Sequence, residues 1–124
     1  FLIADVAHNP DAVKTLVESL RKCISEKVLL IFGVMKDKRF DEMIKYLQPI
    51  IRIAVAVQPR GSRSLDKRIL LQYFNRNGIP AISAESCSEG FQLGLVEKRV
   101  NEPILITGSH YVLSEIIQYI NKFA

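Results

Sequence analysis

Five short apolar runs punctuate the chain, at residues 2–4, 28–34, 50–57, 79–83 and 104–107. They are rich in β-branched residues and show no strict alternation, the pattern of strands buried on both faces. Between them the apolar positions change period. Val13, Leu16, Val17 and Leu20 form one helical stripe; Phe40, Met43, Ile44 and Leu47 form a second; Val112, Ile116, Ile117 and Ile120 form another. Each reads as an amphipathic helix with one face turned to a core. Less regular helices are expected over residues 65–75 and 89–100, the latter weakened by Gly90 and Gly94, although Ser86 followed by Glu89 is a capping-box pattern. Asn9, Pro10 and Asp11 open the first helix with an N-cap, a pre-set φ and a charge that complements the helix dipole.

Strict alternation of strand and helix with short connections demands right-handed crossovers between parallel strands. The expected fold is therefore α/β, a three-layer arrangement with a mostly parallel sheet and helices on both faces. The turns at Gln48-Pro49, Asn77-Gly78-Ile79-Pro80 and Asn101-Glu102-Pro103 reverse the chain between helix and strand. With 124 residues and 48% hydrophobic content, residues 1–124 read as a single domain with an ordinary core. No apolar run is long enough for a membrane span. Cys23 and Cys87 lack ligand spacing and read as reduced cysteines of a cytoplasmic protein. Because the sequence begins inside a strand pattern at Phe1, it is expected to be the downstream portion of a longer polypeptide.

The net charge of +4 is modest and its cations are interspersed with acids, which argues against a nucleic-acid footprint. The polar residues are nonetheless unevenly placed. At the carboxyl ends of the expected strands lie Asp5, His8 and Asn9, then Lys36 to Arg39, then Arg60, Ser62, Arg63 and Ser64, and finally Ser109 and His110. Open α/β sheets hold their ligands at this edge. Cations beside helix amino ends oppose the helix dipole, so an anionic partner explains them better than helix stability does.

Several chemistries lack their parts. There is no Gly-x-x-x-x-Gly-Lys-Ser/Thr phosphate loop and no Gly-x-Gly-x-x-Gly after the first strand. Asp5, His8 and Ser109 lack the Gly-x-Ser-x-Gly elbow of a hydrolase, and Asp5, His8 and His110 have no diagnostic metal spacing, so no metal site is assigned. Gly108-Ser109-His110-Tyr111 offers either an anion pocket at a helix start or an ordinary serine N-cap, and sequence alone leaves both open.

Four segments, in order along the chain, resemble one family. Asp5-Val6-Ala7-His8-Asn9-Pro10 resembles the Asp-Gly-Ala-His-Asn-Pro motif of folylpolyglutamate and dihydrofolate synthases, within the Mur ligase superfamily, with Val6 in place of the usual Gly. Gly33 to Lys38 is similar to that family's Gly-x-x-x-Asp-Lys loop, Pro59 to Leu65 to its Pro-Arg-Ala-x-Ser segment, and Gly108 to Tyr111 to its Gly-Ser-x-Tyr turn. The resemblance implies the carboxy-terminal domain of an ATP-dependent ligase that joins glutamate to folate or dihydropteroate through an acyl phosphate. It further implies that ATP and magnesium are held mainly by a central ATPase domain of the same chain, with this domain closing as a lid. On that resemblance Lys38 serves catalysis, His8 and Ser109 bind glutamate, and Asp5 and Asn9 face the nucleotide.

Two other readings compete. One is another Mur-type ligase with a different amino acid donor. The other is a non-enzymatic flavodoxin-like or receiver-like module, which is weakened because a receiver needs clustered acids after the first strand and a Lys after the fifth, where this chain has a single Asp5 and Thr107-Gly108.

Overall fold

Strand and helix alternate throughout residues 1–123, which the computed structural model describes. The elements are β1 (Leu2–Ala4), α1 (Pro10–Cys23), β2 (Val28–Phe32), α2 (Phe40–Leu47), a 3-10 turn (Gln48–Ile50), β3 (Ile51–Ala56), α3 (Lys67–Arg76), β4 (Ala81–Ser83), α4 (Cys87–Glu97), β5 (Ile104–Thr107) and α5 (His110–Phe123). The five strands form one sheet in the order β1-β5-β2-β3-β4, and every pairing is parallel.

Handedness explains the layers. From β1 to β4 the chain steps across the sheet in one direction, so right-handed crossovers place α1, α2 and α3 on one face. The return from β4 to β5 runs the other way and puts α4 on the opposite face, where α5 follows. The core divides accordingly. Leu30, Phe32, Ala54, Ala56 and Leu105 pack beneath α1 to α3 with Val13, Met43, Ile44, Leu70 and Phe74. Their strand neighbours Leu29, Ile31, Val55, Val57 and Ile106 pack beneath α4 and α5 with Cys87, Val112 and Ile116. This is the double burial that the uninterrupted apolar strands foretold.

Element ends differ from the sequence expectation for local reasons. The apolar run continues to Val34, yet β2 stops at Phe32 because residues 33–35 enter a buried loop. There Leu65 N–H donates to the Val34 carbonyl at 2.8 Å, and Met35 bridges Ser64. Pro49 turns Ile50 into the 3-10 turn, so β3 begins one residue later than expected. Ile79 is held in the turn that closes α3, its N–H donating to the Phe74 carbonyl, which shortens β4. Ser86 caps α4 by accepting the Glu89 N–H at 3.1 Å, placing that helix earlier than the expected 89–100.

The two glycines of α4 have a packing reason. A Cβ on Gly90 would lie 2.2 Å from Val57 Cγ1, and one on Gly94 would lie 3.2 Å from Ile31 Cδ1. Helix propensity is sacrificed there so that α4 can lie close against β2 and β3.

At the amino end of the sheet, Arg52 and the nearly buried Glu102 form a two-pronged pair, Nε to Oε2 at 2.5 Å and Nη2 to Oε1 at 2.7 Å. Arg52 Nη2 also donates to the Glu97 carbonyl, and Glu102 accepts the Arg99 N–H, so the pair ties β3 to the turn that precedes β5. The Arg52 guanidinium holds the Glu102 carboxyl below its usual value of 4.5, against the opposing effect of burial. A depressed carboxyl contributes stability above its unfolded value and loses it as pH falls through the folded value. Glu102→Gln is therefore expected to cost about 2 kcal/mol at pH 7. In urea unfolding the gap between wild type and variant shrinks as pH drops below about 4.5; a gap independent of pH contradicts this role.

Candidate functional site

The opposite, carboxyl edge of the sheet gathers the residues singled out in the sequence. β5 lies between β1 and β2, and its helix departs to one face while those of its two neighbours depart to the other. Diverging connections of this kind open a crevice outside the strand ends. Backbone contacts lock its walls together. The Ala7 carbonyl accepts from Gly108 N–H at 3.1 Å and from Thr107 Oγ1 at 3.3 Å, joining the loop after β1 to the end of β5. Gly108 also sits so close to the loop after β2 that a Cβ there would lie 2.4 Å from the Gly33 carbonyl oxygen.

Each candidate residue is fixed locally. Asp5 Oδ1 accepts the Ala7 N–H at 2.8 Å, a side-chain turn that shapes the corner. His8 is exposed, and its Nδ1 lies 3.0 Å from the Val6 carbonyl. A carbonyl can only accept, so Nδ1 carries the proton in neutral His8 and Nε2 is left as an acceptor. Asn9 has extended backbone and its Oδ1 accepts the Ala12 N–H at 2.9 Å, the expected N-cap. Ser109 is 3% exposed, and its Oγ accepts the Tyr111 N–H at 3.1 Å. Of the two readings of Ser109, the cap is thus present; its hydroxyl proton is still available to donate.

Lys38 differs from Arg39, Arg63 and Lys67. It is half-buried, and among the described residues its ammonium makes no ion pair. Arg39 pairs with Glu42, Arg63 pairs with Asp37 at 3.6 Å, and Lys67 pairs with Glu85 at 3.5 Å. Lys38 is thus a cation the fold leaves uncommitted. Asp5, His8, Asn9, Lys38 and Ser109 accordingly stand on loops of three adjacent strands, β1, β2 and β5.

The segment between β3 and α3 is more highly built than its composition indicates. Arg60 N–H donates to Glu115 Oε2 on α5 at 2.9 Å, Ser64 Oγ donates to the Gly61 carbonyl at 2.8 Å, and Lys36 N–H donates to the Arg63 carbonyl at 2.8 Å. Asp66 then caps α3, its carboxyl lowered to about 2 by hydrogen bonds from the Arg68 side chain and N–H. The result is a cleft of about 280 Å³ between this loop and Tyr111. Glycine, serine and arginine crowding at residues 60–64 was the sequence signal. The Glu115 anchor, remote in sequence, had none.

Other chemistry is disfavoured at this edge. Both cysteines are free thiols, and Cys87 is buried, which together with nearby Glu115 pushes its thiol up to about 12, far from a nucleophilic thiolate. Among the described residues no group of three or more His, Cys, Asp or Glu is placed to hold a metal ion. Among the described residues no helix is long and apolar enough to cross a membrane. A larger cavity, about 760 Å³, lies at the amino end around Arg52 and Glu102, away from all five candidate residues.

Comparison with known proteins agrees with this architecture. The family model described as Mur ligase, glutamate ligase domain, matches residues 1–110. A dihydrofolate synthase/folylpolyglutamate synthase of Haemophilus influenzae is 30% identical over 119 residues, covering 92% of this chain and 27% of that protein. The Bacillus subtilis protein of the same name is 30% identical over 116 residues, covering 90% of this chain and 26% of its own length. The chain thus spans about a quarter of these relatives. Among solved structures, E. coli FolC in complex with DHPP and ADP superposes with a TM-score of 0.89 at 20% identity, covering 98% of this chain and 28% of that one. Mycobacterium tuberculosis folylpolyglutamate synthase complexed with ADP and AMPPCP superposes at 0.81 and 24% identity, covering 96% and 29%. At these identities the superpositions establish the fold.

Proposed function

The chain belongs to the glutamate ligase domain family of the Mur ligases, and from that premise we propose that it is the glutamate-binding lid domain of an ATP-dependent folylpolyglutamate or dihydrofolate synthase. The carrying observation is the convergence of Asp5, His8, Asn9, Lys38 and Ser109 on loops of three neighbouring strands at one sheet edge. The names of the relatives support glutamate as donor and a folate or dihydropteroate as acceptor.

The reaction sets the demands on these residues. An acceptor carboxylate oxygen attacks the γ-phosphorus of ATP, and ADP leaves. The amino group of glutamate then attacks the acyl carbon, phosphate departs with that carboxylate oxygen, and the nitrogen gives up a proton as the amide forms. Negative charge on the transferring phosphoryl group is costly in a closed site, and Lys38, half-buried and without an ion pair among the described residues, is the cation assigned to offset it. His8, through Nε2, and the Ser109 hydroxyl contact the incoming glutamate. Asp5 and Asn9 lie toward the nucleotide, whose phosphate loop and magnesium belong to another domain. Closure of this domain brings the glutamate to the activated carboxyl, a positioning effect that also excludes water.

Ser109→Ala in the full-length protein is expected to raise the KM for glutamate at least tenfold, with the KM for ATP changing less than twofold. Loss of the cap costs about 1 kcal/mol of helix stability, which by itself shifts neither KM selectively. Equal effects on both substrates count against the assignment.

A further inference from the structure

We propose that the cleft between the β3–α3 loop and the first turn of α5 is a carboxylate subsite that holds the γ-glutamyl chain of an acceptor already carrying glutamate. This deepens the ligase reading and rests on it. The cleft is lined by Arg60, Ser62 and Arg63 together with Met35 and Tyr111. Guanidinium groups three residues apart match successive carboxylates through planar two-pronged hydrogen bonding, while the Tyr111 ring and Met35 offer apolar surface to the methylene units between them. A γ-glutamyl chain alternates the same two chemistries. Nucleotide phosphates have no such methylene spacers.

Size and place agree. At about 280 Å³ the cleft falls just below the range of whole-ligand pockets, roughly 300–1,000 Å³, and suits part of a substrate. It borders the loop that follows β3, about 5 Å beyond β2 across the sheet, so it extends the edge carrying Lys38 and Ser109 away from the reacting groups.

The loop is also preformed. Its anchor on Glu115 is the Arg60 backbone N–H, so the Arg60 side chain is not consumed in holding the loop. Among the described residues that guanidinium makes no ion pair. Among the described residues the Arg63 side chain pairs with Asp37 at 3.6 Å, and both side chains are more than half exposed, which makes this a weak pair that an incoming carboxylate can replace. Preorganised groups of this kind bind without the cost of ordering a mobile segment.

The test uses the full-length enzyme with ATP, magnesium, glutamate and reduced folates bearing one or three γ-glutamyl residues. In R60M/R63M the ratio of KM for the triglutamyl acceptor to KM for the monoglutamyl acceptor is expected to rise about 10- to 100-fold. R60M alone gives a smaller rise with the Arg63 pair intact, and R60K recovers part of it, which separates binding from any folding defect of the double variant. An unchanged ratio overturns the proposal. So does a rise confined to the KM for glutamate, which assigns the cleft to the donor, or to the KM for ATP, which assigns it to the nucleotide. If the wild-type protein glutamylates neither acceptor, the ligase reading fails, and this subsite with it.

Discussion

Lys38→Met in the full-length protein lowers kcat by about 100- to 1,000-fold while leaving the unfolding midpoint of this domain within a degree or two. The magnitude is that of removing one preorganised charge from a developing anion, about 3–4 kcal/mol. The lack of a stability effect follows from the structure, in which the Lys38 ammonium has no ion-pair partner among the described residues while Arg39 and Arg63 do. A cation left unpaired at a half-buried position contributes nothing to the folded state that methionine would forfeit. Lys38→Arg keeps the charge and recovers part of the rate, limited by the different shape of the guanidinium. Steady-state kinetics beside thermal unfolding of the same preparations provides the check. A kcat within about threefold of wild type removes Lys38 from the chemistry and leaves it as a solvated loop residue.

Gly108→Ala is expected to destabilise the domain by about 3 kcal/mol or more, a large share of the roughly 5–15 kcal/mol that holds a domain of this size together. Two costs coincide at this glycine. Its φ of 106° lies where L-residues are strained, and a Cβ would meet the Gly33 carbonyl oxygen at 2.4 Å and the Phe32 ring at 2.7 Å. Gly61 separates them. It has a nearly equal φ of 112° but open space within 4 Å, so Gly61→Ala bears the dihedral cost alone. Urea titration of both variants should find Gly108→Ala worse by 1 kcal/mol or more. Equal losses would mean that the close approach of the loops after β2 and β5 is unimportant.

That junction shows how far the sequence could be read. The buried strands were legible because a parallel sheet covered on both faces requires unbroken apolar runs, and the helices because their stripes repeat every three to four residues. Residues 33 and 34 misled because a buried loop obeys the same rule of apolarity as a strand. Gly90 and Gly94 read as weak helix formers because the strands they touch, through Val57 and Ile31, are distant in sequence. At the site, Asn9 and Ser86 were legible as caps since a cap is a local event. Local motifs likewise placed Asp5, His8, Lys38 and Ser109 at strand ends. Strand order was not legible: it alone brings β5 between β1 and β2 and so sets Ser109 beside the loops carrying His8 and Lys38. The Arg60 anchor on Glu115 and the Arg52–Glu102 pair were hidden for the same reason, being long-range contacts between residues with no shared pattern.

The central claim, that this sheet edge serves a ligase acting through an acyl phosphate, is tested most directly by isotope transfer. The full-length protein is supplied with ATP, magnesium, glutamate and a reduced folate whose reacting carboxylate carries oxygen-18, and the released phosphate is analysed by mass spectrometry. The account predicts one labelled carboxylate oxygen in each phosphate, formed in step with ADP and the new amide, and loss of that signal in Lys38→Met. Unlabelled phosphate accompanying amide formation, or ATP hydrolysis that ignores both glutamate and folate, would contradict it.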